Sequence, residues 1–132
     1  MRNKMEMNHV LVVEDDKEIR EGVEIYLKSQ GYEVFQAADG AEGLDVIERE
    51  DIHLAIVDIM MPVMDGLEAA RQIRTLNRID TKEIPIIAMT ANAFQDDIRD
   101  CIDAGMNAHI AKPIDSKKIE DTLQLVLKQK MQ

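Results

Sequence analysis

The stretch LAIVDIMMPVMDG (Leu54–Gly66) joins an apolar run to an acidic turn. The run stops at one carboxylate, Asp58; two methionines then lead into Pro62, and Asp65-Gly66 closes the segment. With His53 in front, HLAIVD is a strand that is apolar almost throughout, and Asp65-Gly66 marks a turn and helix cap. The flanking sequence repeats this strand-then-helix pattern in both directions.

Upstream, Ala41–Glu50 carries Leu44 and Ile47 on one helical face, after the strand YEVFQA and an Asp39-Gly40 turn. Before that, Ile19, Val23 and Leu27 fall four apart within Lys17–Gln30, with Ile25 and Tyr26 broadening the face and Gly31 stopping the helix. HVLVV (His9–Val13) is the first strand and ends abruptly in Glu14, Asp15 and Asp16. Downstream, Gly66–Asn77 reads as a helix through Leu67, Ala70, Ile73 and Arg74, NRIDTKEI as a loop, and PIIAMT as a buried strand ending on Thr90. Ala93–Ala104 is helical and stops at Gly105; NAHIA is a short strand running into Lys112-Pro113. Asp115 caps a last helix through Leu127, with Ile119, Leu123 and Val126 inward. Five strands and five helices thus alternate. Parallel strands need covering crossovers, so the pattern predicts a doubly wound α/β three-layer sandwich.

The whole chain fits one domain. Its 132 residues contain no repeat or linker, and residues 1–8 read as a lead-in to a domain at 9–130. A net charge of −10 lacks the basic face that nucleic-acid binding needs. No apolar run approaches the roughly 20 residues of a membrane span, and MRNKMEMNHV lacks the apolar centre of a signal peptide. The single cysteine, Cys101, forms no internal disulfide, which fits a cytoplasmic location.

In open α/β sheets, ligands bind beyond the carboxyl ends of the strands. There the first strand presents Glu14-Asp15, the third Asp58, the fourth Thr90 and the fifth Lys112. If the first and third strands are neighbours, about 4.8 Å apart, Asp15 and Asp58 come within reach of one small cation. Close carboxylates raise each other's pKa unless a cation compensates them, and hard oxygen ligands suit Mg2+. Lys112 supplies a positive charge and Thr90 a hydroxyl, which together clamp a tetrahedral oxyanion. A carboxylate is also a nucleophile toward phosphorus, giving an aspartyl phosphate. The constellation reads as phosphoryl handling.

The acidic pair after the first strand, VDIMMPVMDG, MTA and AKP, in that order and spacing, resemble the receiver domains of bacterial two-component response regulators. The resemblance covers essentially the whole chain and implies a flavodoxin-like sheet of order 2-1-3-4-5. It implies that Asp58 is the phosphoacceptor, that Asp15 binds the metal directly and Glu14 through water, and that the Met60 carbonyl completes the protein ligands. It also implies Mg2+, with Mn2+ as the alternative, and Thr90 and Lys112 binding the phosphoryl oxygens beside a small Ala91. Lys112-Pro113 is expected to be cis. Thr90 and His109 are the implied switch pair, acting on the face of the fourth helix, fifth strand and fifth helix. A histidine kinase or histidine phosphotransfer domain is the implied donor, an unidentified protein the recipient, and the chain a monomer or weak dimer. Slow hydrolysis of the acyl phosphate is implied as well, influenced by Met60 and Asn92. The first half is similar to receivers fused to winged-helix transcription factors, and the second half to receivers of hybrid sensor kinases.

Other residues have simpler readings. Asp65 and Pro62 shape the turn, Met60, Met61 and Met64 supply packing, and QDDIRD is a solvated helix face. His9 and His53 begin strands, without ligand partners at metal spacing, and read as structural; Cys101 reads as a packed small residue. Two other functions fit parts of the pattern. A Mg2+-dependent phosphatase with an Asp nucleophile needs a second acid near Asp58, but Met60 stands two residues on. A phosphorylation-independent binding module would not need the complete acidic set.

Overall fold

Five strands, β1 (His9–Val13), β2 (Glu33–Ala37), β3 (Leu54–Asp58), β4 (Ile86–Thr90) and β5 (Ala108–Ala111), form one parallel sheet of order β2-β1-β3-β4-β5. The computed structural model describes residues 8–60, 64–76, 79–91 and 95–130, with backbone alone at 79–80, 95–97 and 129–130. β1 and β3 are neighbours, with Val13 opposite Val57, so the residues after β1 meet the end of β3. The helices are α1 (Lys17–Ser29), α2 (Gly40–Arg49), α3 (Gly66–Thr75), α4 (Ile79–Glu83), α5 (Gln95–Asp103) and α6 (Ser116–Lys130). The predicted fourth and fifth helices are therefore α5 and α6. The predicted boundaries at Asn77 and Ala93 lie outside the described residues.

Strand alternation sorts the core into two layers. Leu11, Val13, Ala55, Val57, Ile86 and Ala88 face α2, α3 and α5 through Val46, Ile47, Ala70, Ile73 and Cys101. Val10, Val12, Leu54, Ile56, Ile87, Met89 and Ile110 face α1 and α6 through Val23, Leu27, Ile119, Leu123 and Val126. Strands covered on both sides have to be apolar in both parities, which is why VLVV and LAIV read as unbroken hydrophobic runs.

Two expectations are corrected. NRIDTKEI, read as a loop, contains the short helix α4. Its formation rests on tertiary bonds: Arg74 Nη1 donates to the carbonyls of Thr81 (3.2 Å) and Ile84 (2.8 Å), and Lys82 Nζ to that of Leu76 (3.0 Å). Ile25, read as part of the inward face of α1, is 69% exposed, because the core takes only the Val23–Leu27 side of that helix. At the other end of the sheet the Asn8 carbonyl accepts the Glu33 amide at 2.7 Å, so the ladder extends one residue before β1.

Candidate functional site: an acidic edge with one lysine

Acidic residues crowd the carboxyl edge of the sheet, and the structure divides them into two groups. Asp16, Asp39, Asp65 and Asp115 are helix caps, whose carboxylates accept the amides of Glu18, Glu42, Glu68 and Lys118 at 2.8–2.9 Å. Glu14, Asp15 and Asp58 cap no helix among the described residues; one oxygen from each lies within 4.8 Å of the others. The predicted pairing of Asp15 with Asp58 is present, and Glu14 joins it.

Each member is positioned by its strand. Glu14 follows β1 and is fully buried; its amide donates to the Ala37 carbonyl (3.1 Å) and its carbonyl accepts Arg20 Nη1 (2.7 Å). Its Oε1 accepts the Asp16 amide at 3.2 Å. Asp58 ends β3, is buried, and accepts the Met60 amide on Oδ1 at 3.0 Å. Asp15 stays exposed. Gly66 is packed so tightly beneath that a Cβ there would overlap the Asp58 carbonyl, and only glycine lets α3 start at this point. A turn residue was expected at Gly66, but close backbone approach has no local signature in sequence.

Lys112 reaches across from β5. Its Nζ lies 3.3 Å from Asp58 Oδ2 and 3.3 Å from Glu14 Oε2. Its amide donates to the Thr90 carbonyl at 2.7 Å, and Lys118 Nζ steadies the same turn through the carbonyls of Ala111 (3.2 Å) and Pro113 (2.9 Å). The Lys112-Pro113 bond is cis, as expected. Burial first, and then the Asp58 charge, push the Glu14 carboxyl up to about 7, despite the opposing pull of the Asp16 amide and Lys112. Burial disfavours the Lys112 ammonium, but the charges of Asp58 and Glu14 outweigh it and raise its pKa.

Two buried oxygens remain without a hydrogen-bond partner among the described residues, Glu14 Oε2 and Thr90 Oγ1. Lys112 Nζ is within ion-pairing distance of the former but lacks hydrogen-bond geometry to it. Buried carboxylates with an unfilled acceptor and only one shared ammonium have room for further positive charge. The donors are all hard oxygens, a set that fits Mg2+. The fully buried Thr90 hydroxyl ends β4 opposite Ala111. His109 is half-buried on β5, opposite Ala88, and lines a groove of about 300 Å3 with Cys101, Met106 and the exposed Ile102 and Leu125. The Met60 side chain is 68% exposed, not packed as expected; Met61, Pro62 and Asn92 lie outside the described residues.

A second polar cluster corrects the reading of His9 and His53 as residues without ligand partners. Parallel pairing of β1 with β3 brings them together with Asp51 at the opposite, amino-terminal edge, where one ligand atom from each lies within 4.8 Å of the others. Separation along the chain hid this; only the strand order discloses it.

Comparison with known proteins agrees with this geometry. Sporulation initiation phosphotransferase F of Bacillus subtilis is 32% identical over 118 residues, 89% of this chain and 92% of that protein. The CAI-1 autoinducer sensor kinase/phosphatase CqsS of Vibrio cholerae is 43% identical over 106 residues, 80% of this chain but 15% of that protein. Against relatives described as transcriptional regulators, the chain spans about half their length, 50% and 52% in two cases. The receiver domain of sensor histidine kinase PA1611 from Pseudomonas aeruginosa PAO1, solved with a magnesium ion coordinated in its active site cleft, superposes with a TM-score of 0.82 at 36% identity, covering 92% of this chain and 98% of that one. The sequence profile of the response regulator receiver domain matches residues 10–124. That match runs from β1 into α6 and takes in the acidic edge and Lys112, and the chain belongs to the response regulator receiver domain family.

Proposed function

We propose that this receiver takes a phosphoryl group from a phosphohistidine onto Asp58 and thereby changes its protein contacts. The observation that carries the reading is the convergence of buried Asp58 with Glu14, Asp15 and Lys112 at one sheet edge. One Asp58 oxygen attacks phosphorus in line, the P–N bond breaks, and the partner imidazole leaves with the electron pair. Glu14, Asp15, Asp58 and the Met60 carbonyl would hold Mg2+, or Mn2+ as the alternative, which when bound neutralises charge on the phosphoryl oxygens. The Lys112 ammonium exchanges its carboxylate contacts for a phosphoryl oxygen, and the Thr90 hydroxyl donates to another.

Thr90 Oγ1, without a hydrogen-bond partner among the described residues, supports a switching role, since a phosphoryl oxygen would give this buried hydroxyl an acceptor. His109 then moves inward on β5, and the α5–β5–α6 face, with Ile102 and Leu125 exposed, is redrawn for a downstream protein. Water slowly hydrolyses the acyl phosphate, at a rate influenced by Met60 and Asn92. The domain at 9–130 thus promotes its own modification and reversal in the cytoplasm, as a monomer or weak dimer. The donor is a histidine kinase or a phosphotransfer domain. Intact mass after treatment with acetyl phosphate and Mg2+ tests the reading: the wild type gains one phosphoryl group and Asp58→Ala gains none. Equal labelling of the two proteins defeats the assignment.

A further inference from the structure

We infer that His9, Asp51 and His53 form a site for a transition-metal dication that prefers imidazole, at the sheet edge opposite Asp58. The site uses the amino-terminal ends of the same two central strands whose carboxyl ends carry the acidic cluster. One ring nitrogen from each histidine and one Asp51 carboxylate oxygen lie within 4.8 Å of each other. Ligands of a tetrahedral ion with bonds of about 2.1 Å stand about 3.4 Å apart, so the three donors draw together on loading.

The hydrogen bonds prepare the donors. His9 Nδ1 lies 2.7 Å from the Asp51 carbonyl, which only accepts; in the tautomer with the proton on Nδ1, Nε2 is left as the metal donor. Ligating imidazoles are oriented by this kind of bond. Glu33 Oε2, 3.1 Å from that Nε2, stands ready as a fourth ligand. His53 is 95% buried, with Nε2 3.0 Å from Asp51 Oδ2. Its Nδ1 accepts the His9 amide at 3.2 Å, which leaves the ring proton on Nε2. The two rings lie stacked, 4.8 Å apart at 15°. Loading therefore turns the His53 ring and moves its proton from Nε2 to Nδ1, breaking the long bond from the His9 amide.

Ligand chemistry separates the two edges. The carboxyl edge offers oxygen alone, which suits Mg2+, whereas imidazole with carboxylate suits Zn2+, Cu2+ or Ni2+. Zn2+ is the probe, titrated into the full chain at pH 7.5 with Mg2+ in excess to occupy the acidic edge. The imidazole signals of His9 and His53 and the amide signal of His9 should move together and saturate at one equivalent, while His109, the third histidine, stays in place. Asp51→Asn, at a mostly exposed side chain, and His9→Gln should each weaken Zn2+ binding at least about tenfold. Unmoved His9 and His53 signals, or equal affinity in both variants, would overturn the proposal. Neither result bears on whether Asp58 accepts a phosphoryl group.

Discussion

Lys112 Nζ stands 3.3 Å from Asp58 Oδ2, joining the last strand to the third across 54 residues of sequence. The same ammonium is 3.3 Å from Glu14 Oε2. One cation thus serves two buried carboxylates, holding the site together before any phosphoryl group arrives. The lysine therefore has a structural role in the resting protein beside the phosphoryl-binding role proposed for it.

Lys112→Met should accordingly lower stability in EDTA by about 1–3 kcal/mol, because two buried carboxylates lose their shared cation while the ammonium itself is partly solvated. Mg2+ should recover much of the loss. Urea unfolding with and without Mg2+ measures both effects; equal loss under both conditions would count against the shared-cation account.

Glu14 gives the metal-free protein an unusual pH dependence. Its folded-state pKa, about 7, lies above the ordinary 4.5, so between these values the folded state holds more protons than the unfolded one. This contribution is fully present below about 4.5 and is lost as pH rises through about 7. Lys112, raised from 10.5, acts only in the alkaline range. Urea midpoints in EDTA from pH 5 to 8 should fall more steeply in the wild type than in Glu14→Gln. At pH 7.5 the variant should be more stable by about 1–2 kcal/mol yet bind Mg2+ more weakly.

Thr90→Val removes a buried hydroxyl that has no hydrogen-bond partner among the described residues, in a side chain of the same shape. The resting protein should gain about 1 kcal/mol. Phosphorylation should no longer move the His109 imidazole signal, although Asp58 still labels. Thermal unfolding and the histidine spectrum read the two halves of this prediction separately.

Arg74 donates to neutral oxygens of the described residues: Gly105 O (2.8 and 3.0 Å), Ile84 O (2.8 Å), Thr81 O (3.2 Å) and Asn107 Oδ1 (2.9 Å). A lysine cannot span that fork, so Arg74→Lys should cost about 1–3 kcal/mol. Amide exchange should speed up first in α4 and at the start of β4, with acetyl phosphate labelling unchanged.

The same residue explains where the sequence was hard to read. Apolar runs and Asp caps are local signals, and the five strands, the sheet and the acidic edge follow from them together with the resemblance. Helix α4 is held by Arg74 from outside the segment, so no periodicity within NRIDTKEI announces it. The His9–Asp51–His53 cluster forms only once β1 and β3 are paired, 44 residues apart at His9 and His53. Gly66 is legible as a turn residue, but its contact with the Asp58 backbone is not. Ile25 falls outside the core because α1 presents a narrower stripe to the sheet than its composition suggests.

Whether Asp58 itself carries the phosphoryl group can be read directly from the modified residue. Borohydride reduction of the phosphorylated chain converts an aspartyl phosphate to homoserine, and peptide sequencing by mass locates it. Homoserine is expected at position 58 and nowhere else, dependent on Mg2+ during labelling. Homoserine at Asp15, or at any other acidic residue while Asp58 is intact, would contradict it.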